Sequence, residues 1–120
     1  MKQHIQVTKA FRHALFFSAF AAVIALGVAR TAGAQPAAAV EVDIDHFQFG
    51  PAEVTIHTGD SVEWVNRDQT IHNVVSREGK FVSPGLDTGD RFSFVFDRAG
   101  DYAYLCALHP HMVGVVHVRG

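Results

Sequence analysis

Apolar and polar residues alternate in short runs from Val40 onward. A period of two puts successive side chains on opposite faces of the backbone, which is typical of half-buried antiparallel β-strands. Residues that favour turns separate the runs, and no stretch shows a sustained helical period. The residues predicted to share a core face are Val42 with Ile44, Val54 with Ile56, Val62 with Trp64, Phe92 with Phe94 and Phe96, Tyr102 with Tyr104 and Cys106, and Val116 with Val118. We therefore predict an all-β fold, a Greek-key sandwich or barrel of about seven to eight strands.

The first 34 residues differ in composition from the rest of the chain. Residues 1–12 are basic, residues 14–29 are almost wholly apolar, and residues 32–34 read Ala-Gly-Ala. This order is typical of a secretory signal peptide with a small-residue cleavage site. A retained membrane anchor is the alternative, but the apolar run is shorter than the roughly 20 residues that span a bilayer. We predict that residues 1–34 are removed and that residues 35–120 form an exported, periplasmic domain without a membrane anchor.

The charge of the predicted mature domain differs from that of the whole chain. Four of the ten Lys and Arg residues precede residue 35, and all twelve Asp and Glu residues follow it, which leaves a net charge of −6 with neutral His. An acidic domain argues against nucleic acid as a partner. It favours a partner protein with a basic docking surface.

The chain has one cysteine, Cys106, so an internal disulfide is excluded, and the thiol is a dimerising group, a reactive group or a metal ligand. His109 and Met112 follow it at intervals of three residues, and His72 lies far upstream. A thiolate, two imidazoles and a more distant thioether form the donor set of a copper ion that changes oxidation state with little rearrangement. We predict one type 1 copper ion bound by these four residues. A zinc site or a cysteine nucleophile would leave Met112 without a role.

Two segments, residues 64–74 and 100–118, resemble the cupredoxins, the small blue-copper proteins. The short Cys-x-x-His-Pro-x-Met loop is most similar to that of the amicyanins, and the likeness extends from Val40 to Val118. The resemblance implies that the equatorial ligands are His72, Cys106 and His109. It implies that Met112 is the axial ligand. It also implies that the backbone N–H of Asn73 donates to the thiolate and that its side chain ties the two ligand-bearing segments together.

Two positions depart from the amicyanin pattern. Leu108 stands where amicyanins usually carry a proline before the loop histidine, and it restores a backbone N–H. We hypothesise that this N–H donates a second hydrogen bond to the sulfur of Cys106 and raises the reduction potential. His111 stands where an aromatic residue is common. We interpret it as a solvent-exposed neighbour, and the alternative is a titrating group that makes the potential depend on pH.

The predicted site favours a carrier over an enzyme. Four protein ligands leave no open position for a substrate, unlike in catalytic metal centres. The one His-x-His pair, at residues 109–111, is too little for the further coppers that an oxidase needs. We predict a monomeric one-electron carrier, and the alternative is a protein that stores or delivers Cu(I).

The predicted route for electrons is the exposed edge of His109. Leu108, Pro110 and Pro51 are expected to form an apolar rim around it, suited to brief contacts with redox partners. The resemblance to amicyanins implies an amine dehydrogenase as electron donor and a c-type cytochrome as acceptor. Partners of these two kinds are therefore expected.

Overall fold

The computed structural model describes residues 37–120, so the predicted leader and its cleavage site lie outside the described residues. Within residues 37–120, no helix has the length and apolar character needed to cross a membrane. The strands are β1 (Ala39–Asp45), β2 (Gln48–Gly50), β3 (Glu53–His57), β4 (Ser61–Asn66), β5 (Val75–Ser76), β6 (Arg91–Val95), β7 (Gly100–Leu105) and β8 (Val113–Arg119). This confirms the all-β prediction and its number of strands.

The strands form two four-stranded sheets, with the orders β2-β1-β4-β6 and β3-β8-β7-β5. The chain changes sheet after each of the strands β2 to β6, which gives the predicted sandwich. Strand β1 pairs with β4 in parallel, and so does β3 with β8, whereas the other pairings are antiparallel. The antiparallel prediction is therefore wrong for these two pairs. Alternation reports only which face is buried, and both orientations have the same period.

The core lies between the sheets and is centred on Trp64 of β4, which is fully buried. Its ring stacks against Phe92 with centroids 5.8 Å apart, and it meets the ring of Tyr104 edge-on at 5.3 Å. The predicted core-facing residues of β6 all pack into this cluster, although Phe92 and Phe94 are only partly buried because β6 is a sheet edge. Aromatic pairs of this kind add to the stabilisation that burial of apolar area provides.

Both ligand-bearing segments lie where regular strands stop. Strand β7 ends at Leu105 and β8 begins at Val113, so residues 106–112 form the connection between two neighbouring antiparallel strands. The other segment, between β4 and β5, carries His72, whose backbone exchanges two hydrogen bonds with Leu86 (N···O 3.2 and 2.7 Å). The strands of the sandwich therefore hold the ends of the two irregular segments that carry the predicted ligands.

Candidate metal centre

We call residues 106–112 the ligand loop. Three backbone hydrogen bonds close it on itself: the Cys106 N–H donates to the Met112 carbonyl (3.1 Å), the Met112 N–H to the His109 carbonyl (2.9 Å), and the His109 N–H to the Cys106 carbonyl (3.2 Å). The spacing of three residues thus corresponds to one tight turn per step. The loop brings its three sequence-predicted ligands to one end of the sandwich.

His72 meets the loop from the other segment. The Nδ1 atoms of His72 and His109 each lie 3.8 Å from Cys106 Sγ, and the three donor atoms all lie within 4.8 Å of one another. Bonds of about 2.0 Å to nitrogen and about 2.3 Å to sulfur, the values known for zinc, put two donors about 3.7 Å apart at a trigonal angle. The spacing of these atoms therefore fits one shared metal ion.

Burial adds to the fit. Cys106 and His72 are fully buried, Met112 is 2% exposed, and His109 is half-buried. Met112 is also one of the residues that line a cleft, together with Phe49 and His111. A soft thiolate and thioether with two imidazoles in a nearly dry site suit copper rather than the hard cations that oxygen ligands bind.

Asn73 makes both contacts that the family resemblance implied. Its backbone N–H donates to Cys106 Sγ at 3.5 Å, and its side-chain Oδ1 accepts the backbone N–H of Ala107 at 2.8 Å. Among the described residues, no hydrogen bond from the Leu108 N–H to this sulfur is present. The effect of Leu108 on the potential stays a prediction.

Sequence reasoning missed Asp68, which lies in the irregular segment just after β4. Its Oδ2 lies 2.8 Å from Nε2 of His72, and its carboxylate also accepts the backbone N–H groups of His46 (2.8 Å) and Phe47 (3.0 Å). Burial raises the pKa of Asp68, but the N–H groups of Phe47 and His46, together with the His72 ring, outweigh it and hold the pKa below its ordinary value. Asp68 is therefore ionised at neutral pH.

Phe47 is a second residue that the sequence did not reveal. It follows His46 in the turn between β1 and β2, and both residues have positive φ angles, 58° and 50°. The Phe47 ring meets the rings of His72 and His109 edge-on, with centroids 5.2 and 5.0 Å away. Non-glycine residues rarely adopt this backbone conformation, and no glycine at this turn signalled it.

Apolar residues adjoin His109. Leu108 and Pro110, its neighbours in the loop, are exposed as predicted, and the ring of Phe47, a residue that is 40% exposed, meets the His109 ring. His111 is exposed, and its ring centroid lies 6.5 Å from that of His109. This placement agrees with the interpretation of His111 as a solvent-exposed neighbour.

Comparison with known proteins identifies relatives over the whole described region. Residues 36–119 match the family of copper binding proteins described as the plastocyanin/azurin family. Amicyanin-alpha of Methylorubrum extorquens is 34% identical over 115 residues, which cover 92% of this chain and 97% of that protein.

Solved structures extend the likeness to the fold. A purple cupredoxin from Nitrosopumilus maritimus superposes with a TM-score of 0.61 and 36% identity, covering 67% of this chain and 99% of that one. A copper-containing nitrite reductase from Thermus scotoductus has a TM-score of 0.64 and 31% identity, covering 68% of this chain and 22% of that one. Most of the reductase chain therefore has no counterpart in the matched region.

Proposed function

The chain belongs to the plastocyanin/azurin family of copper-binding proteins, and from this we propose that it is a periplasmic blue-copper electron carrier. These relatives, one of which is an amicyanin, confirm the resemblance to cupredoxins. One type 1 copper ion is the cofactor that fits both this family and the donor set. When bound, this ion supplies the chemistry by taking up and giving back one electron.

We assign the equatorial ligands to His72, Cys106 and His109 and the axial ligand to Met112. The observation that carries the proposal is the convergence of three donor atoms within 4.8 Å of one another at one buried end of the sandwich. Two ligand-bearing segments that are anchored by backbone hydrogen bonds hold these donors in place. Such anchoring keeps the donor positions alike in both oxidation states, as an electron carrier requires.

The accessible edge of His109 is the proposed route for electrons. His109 is half-buried, its ring meets that of Phe47, and the exposed Leu108 precedes it in the loop. Exposed apolar side chains beside this ring suit brief docking, and the predicted charge of −6 favours basic partner surfaces. We propose a dehydrogenase as electron donor and a c-type cytochrome as acceptor.

The proposed carrier is processed at its N-terminus and works as a single chain. Residues 1–34 act as a cleaved signal peptide, and residues 35–120 work as a monomer. The order of a basic segment, an apolar run and Ala-Gly-Ala in residues 1–34 supports this location. The four-ligand set leaves no open position for a substrate, so we expect no enzymatic turnover.

An optical and EPR spectrum of the copper-loaded protein tests the proposal, together with voltammetry. We expect an intense blue-copper band and a reversible one-electron wave, both absent from Cys106→Ala. A colourless protein that hands Cu(I) to an acceptor would instead support the second candidate, Cu(I) storage or delivery, which the soft ligands also allow.

A further inference from the structure

The Asp68 carboxylate joins three parts of the molecule that are separate in sequence. Its Oδ2 lies within hydrogen-bond distance of Nε2 of His72 and accepts the backbone N–H of Phe47. Its Oδ1 accepts the backbone N–H of His46. The Asp68 side chain is 12% exposed and that of His72 is fully buried. Asp68 itself is tied down, because its N–H donates to Oδ1 of the buried Asn66 at 2.9 Å.

We propose that Asp68 is a positioning residue for the copper site, one that orients His72, anchors the turn carrying Phe47 and favours the oxidised metal. This inference rests on the proposed function. It adds a residue that the four-ligand assignment does not include.

The orientation of His72 follows from its two ring nitrogens. Nδ1 is the atom 3.8 Å from Cys106 Sγ, so it must be free of a proton to bind a metal, and Nε2 then carries the proton. A carboxylate 2.8 Å from Nε2 accepts that proton's hydrogen bond. Contacts of this type fix the tautomer and the ring plane of metal-binding histidines.

The turn depends on the same carboxylate. His46 and Phe47 hold positive φ angles of 50° and 58°, a conformation that costs energy for residues with a Cβ. Hydrogen bonds from both N–H groups to Asp68 offset this cost. They also keep the Phe47 ring in its edge-on contacts with His72 and His109.

The charge of Asp68 gives the direction of its effect on the metal. A carboxylate that is largely shielded from water interacts more strongly with nearby charge than one in bulk solvent. Its attraction is greater for the doubly charged metal than for the singly charged one. Asp68 therefore stabilises the oxidised state and lowers the reduction potential.

The test compares Asp68→Asn with Asp45→Asn. Both variants lose one negative charge beside the same turn, and Asp45 accepts the His46 N–H at 3.0 Å, but its side chain is 50% exposed and it bonds to no proposed ligand. We expect the dissociation constant for Cu(II) to rise about 10–100-fold in Asp68→Asn and less than about threefold in the control. Each tenfold loss of Cu(II) over Cu(I) affinity raises the potential by about 59 mV.

A second measurement needs no metal. In the metal-free protein, NMR of the His72 ring is expected to show a single Nε2–H tautomer with slow proton exchange in wild type and in Asp45→Asn. In Asp68→Ala that protection is lost, and Asp68→Glu restores part of it because a carboxylate is again available.

The results separate the inference from the proposed function. Equal Cu(II) affinity, potential and ring exchange in Asp68→Asn and Asp45→Asn would overturn the role of Asp68, even with a reversible wave. A selective loss of Cu(II) affinity in Asp68→Asn would uphold it, even if wild type gave no reversible wave and the carrier function failed.

Discussion

Two regions of the protein place a histidine against carboxylates at nearly the same distance. At the metal centre, His72 lies 2.8 Å from Asp68, and on the outer face of the second sheet, His117 lies 2.7 Å from Asp101. The side chains of the first pair are 0% and 12% exposed, whereas those of the second are 24% and 60% exposed. The contact distance alone therefore does not show what a pair does; its burial does.

Each region fits a different use of histidine. The buried contact is held in one geometry because the His72 ring and the Asp68 carboxylate are both shielded from water and the carboxylate also accepts two backbone N–H groups. The surface contact belongs to a network of ion pairs. Glu53 lies 3.2 Å from His117, and Arg119 lies 3.0 Å from Asp101. Hydrogen bonds to Asp101 and then to Glu53 raise the pKa of His117 above its ordinary value. That histidine is suited to titration, and the buried one to rigid support.

Removal of the two histidines, one at a time, is expected to give the largest difference between the two regions. His72→Ala is expected to abolish the blue absorption. It should also lower the unfolding free energy of the metal-free protein by about 2–4 kcal/mol, because it opens a cavity and removes the ring that bonds to Asp68. His117→Ala serves as the control and should keep the full spectrum. Visible spectra and urea denaturation decide the matter, and a surviving blue band in His72→Ala would refute the ligand assignment.

Removal of the carboxylates gives the next largest effect. Asp68→Ala leaves the His72 ring and the Phe47 N–H without their acceptor, whereas the His46 N–H keeps Asp45, so we expect a loss of about 1–3 kcal/mol. Asp101→Ala should cost less, since water replaces an exposed carboxylate. Chemical denaturation of both metal-free variants at pH 7 measures this, and equal losses would erase the distinction between the two regions.

The Phe47 ring, which meets the rings of His72 and His109, is expected to give a smaller effect. Phe47→Leu removes two edge-on contacts with His72 and His109, and we expect it to lower the unfolding free energy by about 1 kcal/mol. Val95→Ala changes another exposed apolar residue, 59% exposed, and should stay within about 0.5 kcal/mol of wild type. If the two variants denature alike, the Phe47 ring contributes nothing specific to the histidines.

The smallest effect concerns pH. Because the folded pKa of His117 is raised above 6.5, its protonated form stabilises the fold below that pH, and this contribution is lost as pH rises through the folded pKa. Wild type should therefore exceed His117→Asn in melting temperature at acidic pH and converge with it at alkaline pH. Thermal melts across pH 5–9 test the slope, and a constant difference would contradict it.

The strands, and the residues of the candidate metal centre that lie in one loop, could be predicted because their signals are local. Alternation marks which side chains are buried, and the spacing of Cys106, His109 and Met112 places three donors in a single loop. His72 came from the donor chemistry and from family resemblance rather than from spacing. The pairing direction of β1 with β4 had no such signal, since parallel and antiparallel strands alternate alike.

Asp68 and Phe47 could not be predicted for a related reason. Asp68 reaches His46 and Phe47 across 22 and 21 positions of sequence, and only the packed turn brings them together. The two residues of that turn with positive φ angles are not glycines, so the sequence gives no sign of this conformation. Contacts that depend on tertiary placement leave no periodic or spacing pattern behind.

The buried indole of Trp64 gives the protein a built-in optical reporter. It is the chain's single tryptophan and is fully shielded from water by the rings around it. Its emission maximum should therefore lie at short wavelength in the native state and move to longer wavelength when solvent enters. A variant that loses its colour but keeps short-wavelength emission has lost the centre while its scaffold persists.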